Sequence, residues 1–410
     1  MPDQAGTSKR DELSTIVAYG LRSDRRLCED KMAHPVDRRS LLVGAVLSGA
    51  TLGGTVVSVS PAAGRDTTAP VRVAVARLTH GHVAGLFGRR EKSDVEVVGI
   101  YEPDRAVAAR YVREFALDPA LVHDGLASML DRVKPEAVVA FGSVAEHGDV
   151  VRAAAPRRLH VMVEKPLAFE AAEAERMAAL ARRHGVHLLT NYETTWYPSR
   201  SALDAALAAN MVGPIRKVVF RDGHYGPKEI GVQPEFLSWL VDPAANGGGA
   251  IVDFGCYGAN LMTWLMDGRS PVSVTAVTQR LKTDPVYARV DDEATLVLAY
   301  PHATAIIQAS WNWPDHRKDI QLFGDKGLLT APDGNTLLLR GRGDARDRPL
   351  PTPKPTYADP FAFLAAVVRG KAQVPELDPS SLENALVVAR ILDAARRSAA
   401  TGQTVRLIDR

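Results

Sequence analysis

The sequence has few cysteines, almost no net charge and no long uninterrupted apolar run. Cys28 and Cys256 are its only cysteines, which excludes a framework of several disulfides. Lys and Arg number 50 against 48 Asp and Glu, so the formal net charge is +2. A nucleic-acid-binding protein or a basic membrane-binding face would show a basic excess. We therefore expect a small-molecule partner and no nucleic acid.

The remaining composition is that of a globular protein. Hydrophobic residues make up 46% and charged residues 24% of the chain, which excludes a mainly disordered protein. A chain of 410 residues is too long for one ordinary core and suits two domains plus an extra segment. Cys256 lies in an apolar, Gly-rich run, so packing is favoured over reactivity as its role.

We expect the extra segment, residues 1–63, to be an export signal and linker. The pair Arg38-Arg39 precedes a weakly apolar stretch at 41–59, an arrangement that resembles a twin-arginine signal. Small residues at 60–62 provide a place for cleavage, which would remove Cys28 as well. This pattern predicts a periplasmic or extracellular protein.

The alternative for this segment is an uncleaved membrane anchor, because the apolar stretch approaches the minimum length that spans a bilayer. The Gly, Ser and Thr residues within 48–55 weaken that interpretation, so we expect no stable membrane insertion after processing. The polar first 31 residues are unusually long for the head of a signal, so either Met1 or Met32 could be the start.

Residues 69–190 alternate short β-branched runs with helical segments, which is typical of parallel strands joined by crossover helices. We predict a doubly wound, Rossmann-type sheet. The predicted strands are 71–76, 95–100, 137–141, 161–163 and 187–190. The predicted helices are one that begins at His82, then 105–115, 125–132, 147–155 and 171–184.

Residues 191–410 show a different sequence pattern, with longer strand-like runs and few helices between them. This pattern predicts an α+β domain with a large, mostly antiparallel open sheet. Strands are predicted at 216–221, 272–279, 294–300, 304–311 and 318–323, and helices at 258–266, 360–368 and 381–398. The C-terminal helices could pack back on the first domain.

The turn after the first predicted strand is the candidate dinucleotide-binding turn. Such a turn needs small residues so that backbone N–H groups approach a pyrophosphate at the helix N-terminus. Arg77, Thr79 and His82 stand where the G-x-G-x-x-G pattern has glycines, so the motif fails when it is taken alone. The candidate cofactor-binding residues of this turn are Leu78, Thr79, His80, Gly81 and His82.

Glu102 follows the second predicted strand, twenty residues after His82. A carboxylate there accepts hydrogen bonds from an adenosine ribose and repels a 2′-phosphate, which favours NAD, with NADP still possible. The alternative is an exposed turn carboxylate before Pro103. His80 and His82 form an H-x-H pair, but spacing supplies no third ligand, so no metal is expected.

Two later motifs carry a specific resemblance. Glu164-Lys165-Pro166 ends a predicted strand, and residues 247–260 read GGGAIVDFGCYGAN. Together they resemble motifs of the glucose–fructose oxidoreductase, inositol dehydrogenase and rhizopine-catabolism (Gfo/Idh/MocA) family. The resemblance covers roughly residues 71–408, nearly the whole mature chain. It implies a nicotinamide-dependent oxidoreductase and adds Gly142, His147, Glu164 and Lys165 to the expected cofactor contacts.

The same motifs supply a candidate catalytic set. Alcohol oxidation needs a group that takes the hydroxyl proton, and a neutral tyrosine is a poor base because its ordinary pKa is about 10. A nearby cation can lower that pKa. The resemblance implies that Lys165 faces Tyr257, while Asp253, four residues before Tyr257, would orient the substrate or the lysine. Most of the family is expected to have His at position 257.

Aromatic and polar residues gather where the family builds its substrate pocket. The candidates are Tyr192, His224, Lys228 and Trp313, and such a mixture suits the C–H faces and hydroxyls of a carbohydrate. The alternative for the tryptophans is that they cap the sheet or line an oligomer face. The resemblance also implies a homo-oligomer.

We therefore expect hydride transfer between NAD and a sugar-like or cyclitol alcohol. One alternative is an NAD-dependent glycosidase that oxidises its substrate only transiently. Another is a non-catalytic sugar-binding relative, which the degenerate glycine pattern makes worth considering.

Overall fold

The computed structural model of the protein describes residues 69–407. The predicted export signal at residues 1–63 and the proposed cleavage site lie outside the described residues. Among the helices of residues 69–407, none has both the length and the apolar character needed to cross a membrane.

A parallel sheet forms the first part of the fold, in the strand order β3-β2-β1-β4-β5-β6. Its central strands β1 and β4 are mainly apolar because helices cover both faces; every residue of β4 is buried, as are all residues of β1 except Arg72. The strands are β1 (Val71–Ala76), β2 (Val95–Tyr101), β3 (Val122–His123), β4 (Ala137–Ala140), β5 (His160–Glu164) and β6 (Leu188–Asn191).

Helices connect these strands and bury their apolar faces on the sheet. Asp104 begins the second helix by accepting hydrogen bonds from the backbone N–H groups of Ala106 and Val107. Gly185, with φ of +63°, ends the fifth. The helices are α1 (Val83–Phe87), α2 (Arg105–Glu114), α3 (Leu126–Val133), α4 (His147–Ala154) and α5 (Ala171–His184).

A second sheet has nine strands in the order β14-β13-β12-β11-β7-β10-β9-β8-β15. Its pairs are antiparallel except for β7 with β10, which run parallel. The strands are β7 (Ile215–Gly223), β8 (Ser273–Gln279), β9 (Glu293–Ala299), β10 (Thr304–Ser310), β11 (Arg317–Gly324), β12 (Gly327–Ala331), β13 (Leu337–Gly341), β14 (Arg348–Leu350) and β15 (Val405–Arg406).

Seven further helices accompany this sheet: α6 (Pro198–Ala208), α7 (Pro234–Leu240), α8 (Pro243–Asn246), α9 (Ala250–Asp253), α10 (Gly255–Leu265), α11 (Pro360–Val368) and α12 (Leu382–Thr401). Buried residues of α10 and α12 pack with one face of the sheet in a single apolar cluster. The opposite face leaves Val277 of β8 62% exposed. One face of the large sheet is therefore open.

The two C-terminal helices also belong to the first part of the fold. Phe361, Phe363 and Leu364 of α11 pack with one apolar cluster of the parallel sheet, and Leu382 and Leu386 of α12 pack with another. The end of the chain thus ties the two sheets together.

The predicted fold class is confirmed. All five strands predicted in the first part and all five in the second are present, with ends that differ by one or two residues. The sequence did not predict β3, β12, β13, β14 and β15. Three of them, β3, β14 and β15, have only two or three residues, which is too short to show alternation; β12 and β13 have five residues each and were missed as well.

Candidate active site

The site lies at the carboxyl ends of β1, β4 and β5, which are neighbours in the parallel sheet. The chain order changes direction between β1 and β4, and open α/β sheets bind their ligands in the crevice at such a switch point. Helix α7 of the second part lies over the turn after β1, because the indole N–H of Trp239 donates to the backbone oxygen of Thr79 at 3.4 Å. The crevice is therefore bounded by both parts of the fold.

A buried ion pair joins the two motifs. The ammonium of Lys165, just after β5, lies 2.5 Å from Oδ1 of Asp253 and also donates to the Asp253 backbone oxygen at 3.0 Å. The other carboxylate oxygen of Asp253 accepts the indole N–H of Trp311 at 3.0 Å. Burial lowers the pKa of Lys165, but Asp253 outweighs this effect and raises it. The lysine is thus held as a cation.

Tyr257 lies on α10 beside this pair and is almost fully buried. Its ring is 5.1 Å from the Lys165 ammonium, measured to the ring centroid. The ring packs edge-on against Tyr192 at 5.9 Å and is stacked with Phe254 at 6.0 Å. Lys165, Asp253 and Tyr257, which the sequence grouped together, form one cluster.

One electrostatic expectation about this cluster is wrong. We expected Lys165 to lower the pKa of Tyr257, but burial, followed by the charge of Glu193, raises that pKa well above its ordinary value of 10.0. The carboxylate of Asp253 balances the charge of Lys165, so Lys165 stabilises the ionised form of Tyr257 less. Tyr257 is therefore a neutral phenol at neutral pH, suited to donate a proton.

The turn after β1 is compact and largely buried. The N–H of His80 donates to the Phe141 carbonyl at 2.8 Å, which joins this turn to the end of β4. The His80 ring packs against Phe236 at 4.5 Å and Trp239 at 5.7 Å, both on α7. Burial lowers the pKa of His80 well below 6.5, so it is a neutral imidazole. The turn lacks the glycines of the usual pattern, and it is stabilised by aromatic packing of His80 on α7.

Arg77 occupies the position of the first glycine with φ of +70°, a backbone conformation that favours glycine. Its guanidinium reaches Glu102 at 2.7 Å and Glu146 at 2.9 Å. The bridge therefore spans the carboxyl ends of β2 and β4.

Glu102 is not exposed, contrary to the alternative that we considered. Its side chain is 0% exposed, and its oxygens accept hydrogen bonds from the backbone N–H groups of Leu78 at 2.8 Å and Asp104 at 3.0 Å. Burial raises its pKa. Because these bonds use the carboxylate internally, Glu102 shapes the turn and acts on a cofactor chiefly through its charge.

His82 and Glu164 meet in the crevice, with 3.0 Å between Nδ1 and Oε2, and Asn191 donates to the other oxygen of Glu164 at 2.7 Å. Burial raises the pKa of Glu164, but His82 and the hydrogen bond from Asn191 help to lower it to about 2. The ligand atoms of His80, His82 and Glu164 lie within 4.8 Å of one another. Glu164 is thus the third group that spacing could not supply. Because hydrogen bonds already satisfy its carboxylate, we propose no metal there.

The remaining expected cofactor contacts line the end of β4. A side chain at Gly142 would place its Cβ 2.6 Å from a carboxylate oxygen of Glu146 and 3.1 Å from Arg77, so a glycine is needed at this narrow position. His147 is buried, with Nδ1 3.2 Å from the Leu167 carbonyl and with no partner for Nε2 among residues 69–407. These features fit a dinucleotide-binding site. They are the crevice at the switch point, the narrow glycine position and the ring nitrogen of His147 that has no protein partner among residues 69–407.

The four predicted substrate residues do not form one pocket. Tyr192 is 0% exposed and belongs to the apolar core, so it supports Tyr257 and does not line an open surface. His224 is buried against Phe254 at 5.0 Å, and burial lowers its pKa to about 4. Of the four, Tyr192 contacts the catalytic cluster directly, through the ring of Tyr257.

The other two predicted substrate residues lie farther out. Lys228 is half exposed and forms an ion pair with Asp284. Trp313 lies just after β10, and the guanidinium of Arg317 lies 4.7 Å from its ring centroid. Neither contacts Lys165, Asp253 or Tyr257 in the interactions found among residues 69–407.

Three residues outside the predicted catalytic, cofactor and substrate residues also belong to the site; two of them, Asn191 and Trp311, lie in the segments 191–197 and 311–313, which the sequence placed near the substrate pocket. Asn191 positions Glu164, and its place at the end of β6 could have indicated this role. Trp311 positions Asp253 and ends a predicted strand. Lys318 on β11 lies with its ammonium 4.5 Å from the Tyr257 ring centroid, and no sequence motif marks it.

A Rossmann-type crevice beside a buried lysine–aspartate pair and a tyrosine defines a class of nicotinamide-dependent oxidoreductases. Comparison with known families agrees. The profile described as "Oxidoreductase family, NAD-binding Rossmann fold" matches residues 77–192, and that of the "GFO/IDH/MocA C-terminal domain" matches residues 201–330. Together they span more than half of the chain. The protein belongs to the GFO/IDH/MocA family and is an NAD(P)-dependent oxidoreductase.

Individual relatives are distant. Trans-1,2-dihydrobenzene-1,2-diol dehydrogenase of Xenopus tropicalis is 25% identical over 61% of this chain and 74% of that protein. The dTDP-3,4-didehydro-2,6-dideoxy-alpha-D-glucose 3-reductase of Streptomyces antibioticus is 27% identical over 74% of this chain and 90% of that protein. An inositol dehydrogenase homolog from Azotobacter vinelandii, solved with NAD+, superposes with a TM-score of 0.70 at 20% identity, covering 83% of this chain and 98% of that one. This last likeness shows the fold.

Proposed function

We propose that the protein interconverts a secondary hydroxyl and a carbonyl on a sugar-like or cyclitol substrate, with NAD as the redox partner. The observation that carries the proposal is the Lys165–Asp253 ion pair beside Tyr257 at the end of β5. It supports the proposal because the Lys165 ammonium lies 5.1 Å from the ring centroid of Tyr257, beside the switch-point crevice. Two relatives that act on a dihydrodiol and on a nucleotide-linked sugar support the substrate class.

NAD supplies the hydride acceptor, and reduced NAD the hydride donor, when bound in the crevice. The loops after β1, β4 and β5 would hold it through the turn at 78–82, the narrow position Gly142 and the buried ring of His147.

Tyr257 carries the proton. In reduction its phenol donates a proton to the carbonyl oxygen as the carbonyl carbon gains the hydride. In oxidation Tyr257 must first ionise and then takes the hydroxyl proton as the same carbon loses the hydride. Asp253 holds Lys165 so that its charge stabilises negative charge developing on the substrate oxygen.

The substrate test is a panel of free sugars, sugar acids and cyclitols incubated with the protein and NAD, with NADH absorbance as the readout. At least one compound should give NADH and a keto product, and Tyr257→Phe should abolish most of the signal. NAD binding with no NADH from any compound, in either direction, would contradict the proposed function.

We also propose that the protein is exported and forms a homo-oligomer. The sequence of residues 1–63 supports export. The open face of the large sheet, with Val277 and Val297 exposed, supports self-association.

Light scattering of the purified protein tests the homo-oligomer. Replacing both valines with Lys should give monomers if the open face is the interface, and an unchanged mass would refute that placement.

A further inference from the structure

We propose that Lys318 is a second cation of the reaction centre, a positioning residue that lies against the ring of Tyr257 and stabilises its ionised form. The proposal deepens the proposed function, because it rests on Tyr257 as the group that carries the proton. It assigns a role to a residue that lies in neither of the two recognised motifs.

The geometry places Lys318 closer to Tyr257 than Lys165 is. The Lys318 ammonium lies 4.5 Å from the ring centroid, against 5.1 Å for Lys165. The Lys318 side chain is 18% exposed, so solvent screens its charge only weakly. A cation over an aromatic face is attracted by the ring, and a negatively charged phenolate strengthens that attraction.

The two lysines are held differently. Asp253 contacts the Lys165 ammonium through its carboxylate and its backbone carbonyl, which balances the charge of that lysine locally. Lys318 forms an ion pair with Glu193, whose other oxygen accepts the hydroxyl of Tyr197 at 2.5 Å.

Lys318 offsets the charge of Glu193 beside Tyr257. After burial, the charge of Glu193 is the largest contribution that raises the pKa of Tyr257. Lys318 lies between the two groups in the sense that its ammonium contacts both the carboxylate and the ring. Without Lys318, the tyrosine would lose a neighbouring cation and face an uncompensated carboxylate.

A cross-strand partner completes the arrangement. Lys318 on β11 is directly opposite Asp222 on β7, so their side chains share a face of the sheet. Asp222 is buried, and burial raises its pKa well above 3.8. Asp222 is thus a third neighbour of Lys318, besides Glu193 and the ring of Tyr257.

The ionisable groups that face Tyr257 come from every element packed on it. They are Glu164 and Lys165 from the end of β5, Tyr192 and Glu193 from the segment after β6, Asp253 from α9, Cys256 from α10 and Lys318 from β11. Burial raises the pKa of Cys256 to about 12, so this thiol is uncharged below that pH. Lys318 and Lys165 are thus the two cations of the set.

The test measures the ionisation of position 257 directly and needs no substrate. A ring-fluorinated tyrosine, whose phenol ionises at lower pH than that of tyrosine, is placed at 257 in the full chain and titrated by fluorine NMR. Lys318→Met should raise the titration midpoint by about one pH unit, the size expected when a cation–π contact is lost. Lys318→Arg keeps the charge and should leave the midpoint near its original value.

A matched control is Lys282, a 15% exposed lysine paired with Glu229 whose ammonium lies 5.5 Å from the ring centroid of Tyr287. Lys282→Met should leave the midpoint at 257 unchanged. Adding Glu193→Gln to Lys318→Met should return it toward the original value, because both opposing charges are then gone.

A midpoint that Lys318→Met does not move would overturn the proposal, even if turnover fell. A midpoint that Lys282→Met moves equally would overturn it as well, because the shift would then reflect general destabilisation. The outcome is independent of turnover, so failure of the proposed redox activity would be seen separately, as an absence of NADH formation by the unmodified protein.

Discussion

The ammonium of Lys165 and the carboxylate of Asp253 lie 2.5 Å apart, although 87 residues separate them in the chain. Lys165 follows the fifth strand of the parallel sheet, and Asp253 ends a short helix packed on the antiparallel sheet. The pair therefore exists only when both parts of the fold are in place. It couples assembly of the site to folding of the whole described region.

Breaking this pair on one side should destabilise the protein. Asp253→Asn leaves a buried lysine without its carboxylate, which typically costs about 3–5 kcal/mol. Lys165→Met/Asp253→Asn removes both charges and keeps an acceptor for Trp311, so it should be more stable than the single variant. Denaturant unfolding measures both. Glu175→Gln, which breaks the exposed pair with Arg390, should cost less than about 1 kcal/mol. If all three variants lost the same free energy of unfolding, the buried Lys165–Asp253 pair would contribute no more to stability than an exposed pair, and this prediction would be wrong.

Removing the Tyr257 hydroxyl should affect chemistry and leave binding intact. Tyr257→Phe keeps the ring that packs on Tyr192 and Phe254, so the fold and NAD affinity should survive. Turnover should fall by roughly 10²–10⁴-fold, the usual contribution of a general acid or base. The measurement is kcat together with an NAD titration. Near-full turnover in Tyr257→Phe would remove the tyrosine from the proton-transfer role.

The direction of the Tyr257 pKa shift predicts a pH dependence. Its pKa is raised above 10.0, so the ionised form needed for alcohol oxidation is scarce at neutral pH. The single-turnover rate of oxidation should therefore rise about tenfold per pH unit on the alkaline side, while carbonyl reduction should stay flat there. An oxidation profile that levels off below pH 10.0 would show that the tyrosine ionises more easily than its burial implies.

Cofactor preference should depend on the charges around Arg77. Glu102 and Glu146 both contact its guanidinium, so the three side chains carry one net negative charge. We expect NAD to bind more tightly than NADP, because this charge opposes a 2′-phosphate. Glu102→Gln removes the charge at nearly the same volume, although its NH2 group replaces one of the two oxygens that accept backbone N–H groups. It should narrow the difference between the NAD and NADP affinities, as calorimetry with both cofactors can show. Equal affinities in the unmodified protein would exclude Glu102 from this selection.

Export should require the arginine pair. Replacing Arg38 and Arg39 with Lys should leave the precursor inside the cell, while protein made without residues 1–63 should still fold, because the apolar clusters of both sheets are built from Val71 onward. Fractionation of cells and culture medium measures the distribution. An unchanged secreted fraction in the Lys pair would indicate a different route or a retained anchor.

The sequence predicted those parts of the fold and site that depend on local pattern. Short runs rich in β-branched residues identified β1 and β4, and the motif around Lys165 and the block around Tyr257 predicted the cluster that the structure brings together. Each of these signals is contained in a short stretch of sequence, so it can be read without knowing the fold.

What the sequence missed depends on contacts between distant segments. Lys318 faces Tyr257 because β11 pairs with β7 in one particular register, which no local pattern encodes. Glu102 was correctly placed after its strand, but its internal hydrogen bonds arise from the path of the turn at Leu78 and Asp104. Tyr192 was predicted as a substrate residue because an aromatic beside polar residues suits a sugar; its edge-on contact with the Tyr257 ring, which joins the end of β6 to α10, could not be read from the sequence.

Isotope transfer tests the central claim most directly. A substrate identified in the sugar and cyclitol panel is prepared with deuterium on the carbon to be oxidised, incubated with the protein and NAD, and the cofactor is examined by mass spectrometry. The account predicts reduced NAD that carries a single deuterium, formed together with the ketone and nearly absent with Tyr257→Phe. A product formed with no deuterium in the released cofactor pool would contradict net hydride transfer and would indicate a reaction that returns its cofactor unchanged.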